Sequence, residues 1–137
     1  MPEALNVLFV CQHGAAKSVI AARHFTELAR ARGLTLTAVA AGVEPDEVIP
    51  AHVIAGLRRD GVANDDTHPL GVTRELLESA QLVVSFGCDL SAFVDDSGRM
   101  IQWNDVPAVS DGYDAARTAI VSRLPAVLDE AEQRDRR

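Results

Sequence analysis

The chain has 137 residues, a net charge of −7 and a hydrophobic share of 47%. Its length fits one domain with a modest core, so we expect a single domain over residues 1–137. The acidic balance argues against nucleic acid and anionic membranes as partners, because both would repel it. Two distant cysteines, no metal-ligand spacing, no secretory signal and no membrane-length apolar run predict a cytoplasmic, metal-free protein with free thiols. We expect a monomer or weak dimer.

The first half of the chain predicts two strands and two helices. A wholly apolar run predicts a buried strand at residues 6–10, and a second strand is expected at 34–40. A helical periodicity predicts a helix at 18–31 that ends before Gly33. A further helix is predicted at 50–60, with a proline in its first turn.

The second half predicts more short elements and one long helical stretch. Pro125 lies within that stretch and should kink or divide it. Strands that alternate with helices predict an α/β domain whose four-stranded parallel sheet carries helices on both faces. The predicted elements are a loop at 64–71, a helix at 73–80, a strand at 82–86, a loop at 91–98, a strand at 100–103 and helix over 111–131.

The junction between the first strand and the first helix is the most informative segment. Cys11 follows the apolar strand directly, and Lys17 and Ser18 open the helix. The N–H groups of such a loop converge on one point, which the helix dipole makes electropositive. The same field favours thiolate over thiol. The segment therefore predicts a cysteine nucleophile in a site for a tetrahedral oxyanion, bound by Gln12, His13, Gly14, Ala15, Ala16, Lys17 and Ser18.

These residues resemble the C-x5-R-S loop of low-molecular-weight protein tyrosine phosphatases and of the thiol-dependent arsenate reductases that share their fold. Residues 40–44 resemble the reductases' Ser-Ala-Gly-Val-Glu segment, and residues 82–89 resemble their third strand and the cysteine after it. Residues 103–108 resemble their Trp-…-Asp-Asp-Pro-Ala loop. The resemblance spans most of the chain and is closer to the reductases. It implies a low-molecular-weight phosphatase-like fold.

The loop departs from the family pattern at two positions. Lys17 replaces the arginine, so a hydrated point charge stands where the family has a planar fork that grips two oxygens. Gly14 replaces an asparagine, which preserves a turn with positive φ but removes the side-chain hydrogen bonds. The lysine should weaken transition-state binding more than it weakens oxyanion binding.

Three candidate residues each follow a predicted strand, so they should converge on one edge of the sheet. They are Cys11, Cys88 and Asp105. The resemblance implies that Asp105 protonates the leaving group and that Cys88 is a resolving thiol, although a buried structural cysteine is equally open. The reductases that recycle internally use two further cysteines, and this chain has one. The remaining routes are a Cys11–Cys88 pair or attack by an external thiol.

Two other side chains near the loop have two possible roles each, and the remaining aromatic and histidine side chains have one expected position each. Ser18 either caps the helix or donates to the thiolate, and His13 either contacts the oxyanion or is simply exposed. Trp103 is expected in the core, and Tyr113 at the mouth of the site. His24, His52 and His68 are expected at the surface.

Three functions remain open for this site. Phosphotyrosine recognition needs aromatic walls, and residues 42–50 contain none, which favours arsenate reduction by Cys11. Electrons would come from an external thiol reductant, either a low-molecular-weight thiol with a glutaredoxin-type protein or thioredoxin. The first alternative is a phosphatase that acts on phosphate esters through a cysteinyl-phosphate. The second is a non-catalytic protein that binds arsenate or phosphate.

Overall fold

A four-stranded parallel sheet lies at the centre of the computed structural model, which describes residues 5–62, 68–90 and 100–135. The strands are β1 (Leu5–Cys11), β2 (Ala38–Gly42), β3 (Ala80–Ser85) and β4 (Met100–Gln102). Their order across the sheet is β2-β1-β3-β4. The predicted α/β class and four-stranded parallel sheet are thus confirmed.

Five α-helices connect and cover the strands in the described part of the chain. They are α1 (Lys17–Ala31), α2 (Ala51–Arg59), α3 (Arg74–Ser79), α4 (Tyr113–Val121) and α5 (Leu124–Asp135), with a 3₁₀ turn at Val109–Asp111 before α4. None of these helices is long and apolar enough to cross a membrane.

The long helical stretch is divided, as its proline predicts. Helix α4 ends at Val121 and α5 begins at Leu124. Pro125 occupies the first turn of α5, where a missing N–H group breaks no intrahelical hydrogen bond. The division lets both helices pack buried side chains on the same core.

The second strand begins later than its sequence predicts. Residues 34–37 return the chain from the end of α1 to the sheet, and pairing with β1 runs from Val7↔Ala38 to Cys11↔Gly42. Apolar composition alone does not distinguish this return from the strand. The predicted loop at 91–98 and residues 64–67 of the loop at 64–71 lie outside the described residues.

Strand β1 is buried on both faces and sends alternate side chains into two apolar clusters. Val7 and Phe9 join the large cluster beneath α1, α4 and α5. Leu8 and Val10 join the smaller cluster on the other face, beside α3. Alternation then directs Cys11 toward the α1 face, where the loop after β1 turns into that helix.

Two glycines bring the loop after β1 against the end of β2. Gly14 has φ of 63°, and a Cβ added there would lie 2.5 Å from the backbone nitrogen of Gly42. A Cβ on Gly42 would lie 2.4 Å from the nitrogen of Gly14. The two backbones are therefore in direct contact, with no room for a side chain on either.

Gly14→Ala should destabilise the protein far more than Gly33→Ala. Both glycines have positive φ, but nothing lies within 4 Å of a Cβ on the exposed Gly33. We expect a loss of about 1–2 kcal/mol for Gly33→Ala from backbone strain alone, and roughly 2–5 kcal/mol for Gly14→Ala, where the clash adds to it. Urea unfolding measures both values. Equal losses would show that the close contact with Gly42 is absent.

Candidate active site

The thiol of Cys11 faces a buried hydroxyl at the start of α1. Cys11 Sγ lies 3.0 Å from Ser18 Oγ, and Ser18 is fully buried. Ala16 is the N-cap residue of α1, so Ser18 lies inside the helix and not at its cap. A hydroxyl at this distance can donate to a sulfur anion and stabilise it. The position of Ser18 therefore favours a hydrogen bond to the Cys11 thiolate over a role as helix cap.

The loop backbone presents its N–H groups to one side because its carbonyl groups are bound on the other. Carbonyl oxygens of Cys11, Gln12 and His13 accept from backbone N–H groups of the segment after β2, at 3.2, 2.8 and 3.1 Å. Within a trans peptide, C=O and N–H point in opposite directions. No described residue accepts a hydrogen bond from the N–H groups of residues 12–17. Such a set of unpaired donors at a helix N-terminus is suited to an anion.

Lys17 joins this loop to the segment that follows β4. Its ammonium group donates to the carbonyl oxygen of Val106 at 3.0 Å. An ammonium group has further hydrogens to donate after this bond is made. Lys17 therefore carries positive charge at the site while one of its donors is held by the neighbouring loop.

A cavity of about 340 Å³ opens over Cys11. Phe86 is the one aromatic ring of Phe, Tyr or Trp type that lines it in the described part of the chain. Gly14 and Ser18 are not among the residues that line it. The lining residues are Cys11, Gln12, His13, Ala15, Ala16, Lys17, Asp46, Pro50, His52, Phe86, Ala108, Val109 and Ser110.

Asp105 follows β4 at the expected edge, but its side chain is outside this cavity. The carboxylate is 76% exposed and accepts a hydrogen bond from Arg123 at 2.8 Å. That hydrogen bond lowers the pKa of Asp105. Arg123 also lies over the ring of Trp103, at 5.6 Å from its centroid. In this arrangement the carboxylate is bound to Arg123 and lies outside the cavity lining.

Cys88 lies at the end of β3 but does not line the cavity. Its sulfur is 3.9 Å from the carbonyl oxygen of Val10, and its side chain packs in the α3-side cluster. Burial, and then negative charge on Cys11, raise the pKa of the Cys88 thiol. The two thiols are therefore neighbours at one edge of the sheet, and only Cys11 faces the cavity. Both are free.

Asp46 is a cavity residue that the sequence did not reveal. It lies in residues 42–50, a stretch whose sequence was informative only through its lack of aromatic residues. Its carboxylate is 3.4 Å from Nδ1 of His13. The signal that could have found it is its nearness to Val43 and Glu44, which belong to the segment that resembles the reductases. His52 also lines the cavity.

The expectation of a surface position is wrong for His24. Its side chain is 14% exposed, and Nε2 lies 3.2 Å from Asp60 Oδ2. Burial lowers the pKa of His24 in spite of that carboxylate.

Tyr113 donates to the same Asp60 at 2.8 Å and lines a neighbouring groove, so it lies beside the cavity and not in its wall. Trp103 is buried in the core, as expected.

Comparisons with known proteins agree with this fold. A family model described as low molecular weight phosphotyrosine protein phosphatase matches residues 6–92. The crystal structure of YfkJ from Bacillus subtilis superposes with a TM-score of 0.84 at 18% identity, over 96% of this chain and 97% of that one. A low-molecular-weight protein tyrosine phosphatase from Bacillus subtilis has a TM-score of 0.77 at 22% identity, over 96% and 99%.

A thioredoxin-dependent arsenate reductase from Corynebacterium glutamicum is also similar. It has a TM-score of 0.80 at 23% identity, over 96% of this chain and 63% of that one. No significant match is found among curated protein sequences. The chain therefore belongs to the low-molecular-weight phosphotyrosine protein phosphatase family. Relatives with this fold include both phosphatases and an arsenate reductase, so the fold does not choose between the two activities.

The two thiols should differ in reactivity with iodoacetamide. Because burial raises the pKa of Cys88, we expect its labelling to be slow at pH 7 and to accelerate only in alkaline solution. Cys11 should be alkylated first, since it faces the cavity and the loop N–H groups. Mass spectrometry of peptides over a pH series measures both rates. Preferential labelling of Cys88 at neutral pH would contradict the assignment of Cys11 as nucleophile.

Proposed function

We propose that this protein is a thiol-dependent arsenate reductase in which Cys11 is the nucleophile. The observation that carries the proposal is the setting of the Cys11 thiol. Cys11 faces a cavity, beside loop N–H groups that no described residue binds. The cavity is far larger than one tetrahedral oxyanion, so it has room for a second, attacking thiol beside the substrate.

The chemistry of the proposal uses the thiols as the electron source. The Cys11 thiolate attacks arsenate, an S–As bond forms, and one oxygen leaves as water after it gains protons. A second thiolate then attacks the Cys11 sulfur. An S–S bond forms, and the electron pair of the broken S–As bond passes to arsenic, which leaves as arsenite. Another thiol reduces the disulfide and restores Cys11, so two thiols are oxidised for each arsenate reduced.

An external thiol fits this site better than Cys88 as the attacking group. Cys88 does not line the cavity, and its raised pKa leaves little thiolate at neutral pH. A direct Cys11–Cys88 disulfide would also require the two Cα atoms to lie within about 7 Å and the side chains to face each other. We therefore propose that a low-molecular-weight thiol, recycled by a glutaredoxin-type protein, or a thioredoxin supplies the electrons.

Lys17 and the cavity lining favour reduction over hydrolysis. Thiolate attack on arsenate is also weakened by the lysine, but the later redox step is an attack on sulfur, which needs no planar fork on the equatorial oxygens. Both steps of phosphoryl transfer rely on that grip. A phosphotyrosine ring needs aromatic walls, and Phe86 alone offers one in the described lining. Hydrolysis of a small phosphate ester is the second candidate, because Phe86 and the width of the cavity admit a single ring.

Paired assays of arsenate reduction and aryl-phosphate hydrolysis test the proposal. We expect arsenate-dependent oxidation of an added thiol, and a loss on the order of 10³-fold or more for Cys11→Ser, because a serine hydroxyl is not ionised without a strong base. Cys88→Ser should keep most of the activity when an external thiol is supplied.

Loss of reduction in Cys88→Ser, with aryl-phosphate hydrolysis intact, would place the disulfide between Cys11 and Cys88. Hydrolysis without any arsenate reduction in the unmodified protein would overturn the reductase proposal in favour of the phosphatase. Absence of both reactions, with oxyanion binding retained, would favour a binding protein.

A further inference from the structure

We propose that His13, oriented by Asp46, is the proton-transfer residue of the Cys11 cavity. This inference rests on the proposed function in that it assigns a role in the same reaction. Both residues belong to the cavity lining, and Asp105 does not. A proton donor has to reach the substrate oxygen that leaves, so a group in the cavity wall is better placed than one outside it.

The ring of His13 is held through one nitrogen. Nδ1 lies 3.4 Å from Asp46 Oδ1 and 3.3 Å from the carbonyl oxygen of Glu44. The hydrogen-bond partner of Nδ1 is a carbonyl oxygen, and a carboxylate oxygen lies beside it. Since both oxygens are acceptors, Nδ1 carries the hydrogen, which leaves Nε2 as the atom that gains and loses a proton.

The backbone fixes the same pair of residues relative to each other. The N–H group of Asp46 donates to the carbonyl oxygen of His13 at 3.1 Å. Beside it, Gln12 donates to the Glu44 carboxylate at 2.8 Å. The segment after β2 therefore holds the loop through backbone and side-chain bonds together. These bonds fix the positions of His13 and Asp46 relative to each other, although the two side chains are 59% and 49% exposed.

The other ionisable groups of the cavity are less suited to this role. Cys11 is the nucleophile in the proposed reaction, and Lys17 supplies the fixed positive charge that faces the oxyanion. His52 lines the cavity, but no described residue is bound to its ring. Among the described lining residues, His13 is thus the imidazole with a carboxylate partner. Imidazole is the side chain that exchanges protons most readily near neutral pH.

The proton would move twice in each cycle. In the first step, Nε2–H of the imidazolium donates to an arsenate oxygen while the S–As bond forms and the As–O bond breaks. The oxygen leaves as water, and the imidazole becomes neutral. In the second step, neutral Nε2 accepts the proton of the incoming thiol, whose thiolate attacks the Cys11 sulfur and releases arsenite. Hydrolysis of an aryl phosphate would use the same donor for the phenol oxygen and the same acceptor for water.

Steady-state kinetics over a pH series test this role in His13→Gln and Asp46→Asn. We expect His13→Gln to lower kcat by about 10²-fold, to change KM much less and to remove one limb of the pH profile. Asp46→Asn should lower kcat less than His13→Gln does, because the Glu44 carbonyl oxygen still holds the ring of His13 through Nδ1. His24→Gln is the matched control: it disrupts a His–Asp pair outside the cavity and should leave kcat and the pH profile unchanged.

Three outcomes would overturn the proposal. The first is an unchanged pH profile in His13→Gln. The second is loss of the limb in Asp105→Asn while His13→Gln retains it, since this would show that Asp105 enters the cavity. The third is a fall in the iodoacetamide reactivity of Cys11 in His13→Gln that equals the fall in kcat, since this would mean that His13 tunes the thiolate and transfers no proton.

Each assay is run with arsenate and with an aryl phosphate. If the unmodified protein hydrolyses the aryl phosphate but does not reduce arsenate, the reductase proposal fails, and the role of His13 is decided on the hydrolysis profile. If it performs neither reaction, both proposals are overturned. Restoration of activity in His13→Ala by added imidazole would further support proton transfer at this position.

Discussion

The site depends on the contact between the loop after β1 and the segment after β2. Gly14 and Gly42 meet backbone to backbone, and three loop carbonyl groups are bound by N–H groups of the β2–α2 segment. That bonding turns the N–H groups of residues 12–14 away from the β2–α2 segment. A side chain at either glycine would separate the two segments, and these N–H groups would lose their common direction.

Local electrostatics at this loop oppose the overall charge of the protein. The chain carries a net charge of −7, yet its cavity combines a helix N-terminus, unpaired N–H groups and the ammonium of Lys17. Fixed dipoles of this kind act over short distances and are worth most where water is excluded. An acidic protein can therefore hold an anion at one point while the rest of its surface repels anions.

Local patterns in the sequence predicted the parts of the site that are contiguous in the chain. The buried run before Cys11 and the helix after Lys17 place the thiol correctly, because β1 and α1 are adjacent elements. Sequence could not predict the direction of the Asp105 carboxylate, since that depends on Arg123 in the turn between α4 and α5. The pairing of His13 with Asp46 was also hidden, because it joins the ends of two different strands.

The start of β2 illustrates the same limit at the level of the fold. Residues 34–37 are apolar enough to resemble a strand, and only the register with β1 shows that pairing begins at Ala38. Burial of His24 against Asp60 likewise follows from the packing of α1 beside the end of α2. The start of β2 and the burial of His24 depend on contacts between residues far apart in the chain, so a local sequence pattern does not reveal them.

The most direct test of the central claim is a crystal structure of the Cys11→Ser protein soaked in arsenate. The oxyanion should lie in the cavity at hydrogen-bond distance from the N–H groups of residues 12–17, with the Lys17 ammonium beside it. Density for arsenate elsewhere on the protein, with that loop unoccupied at saturating concentration, would contradict the assignment of the loop as an oxyanion site.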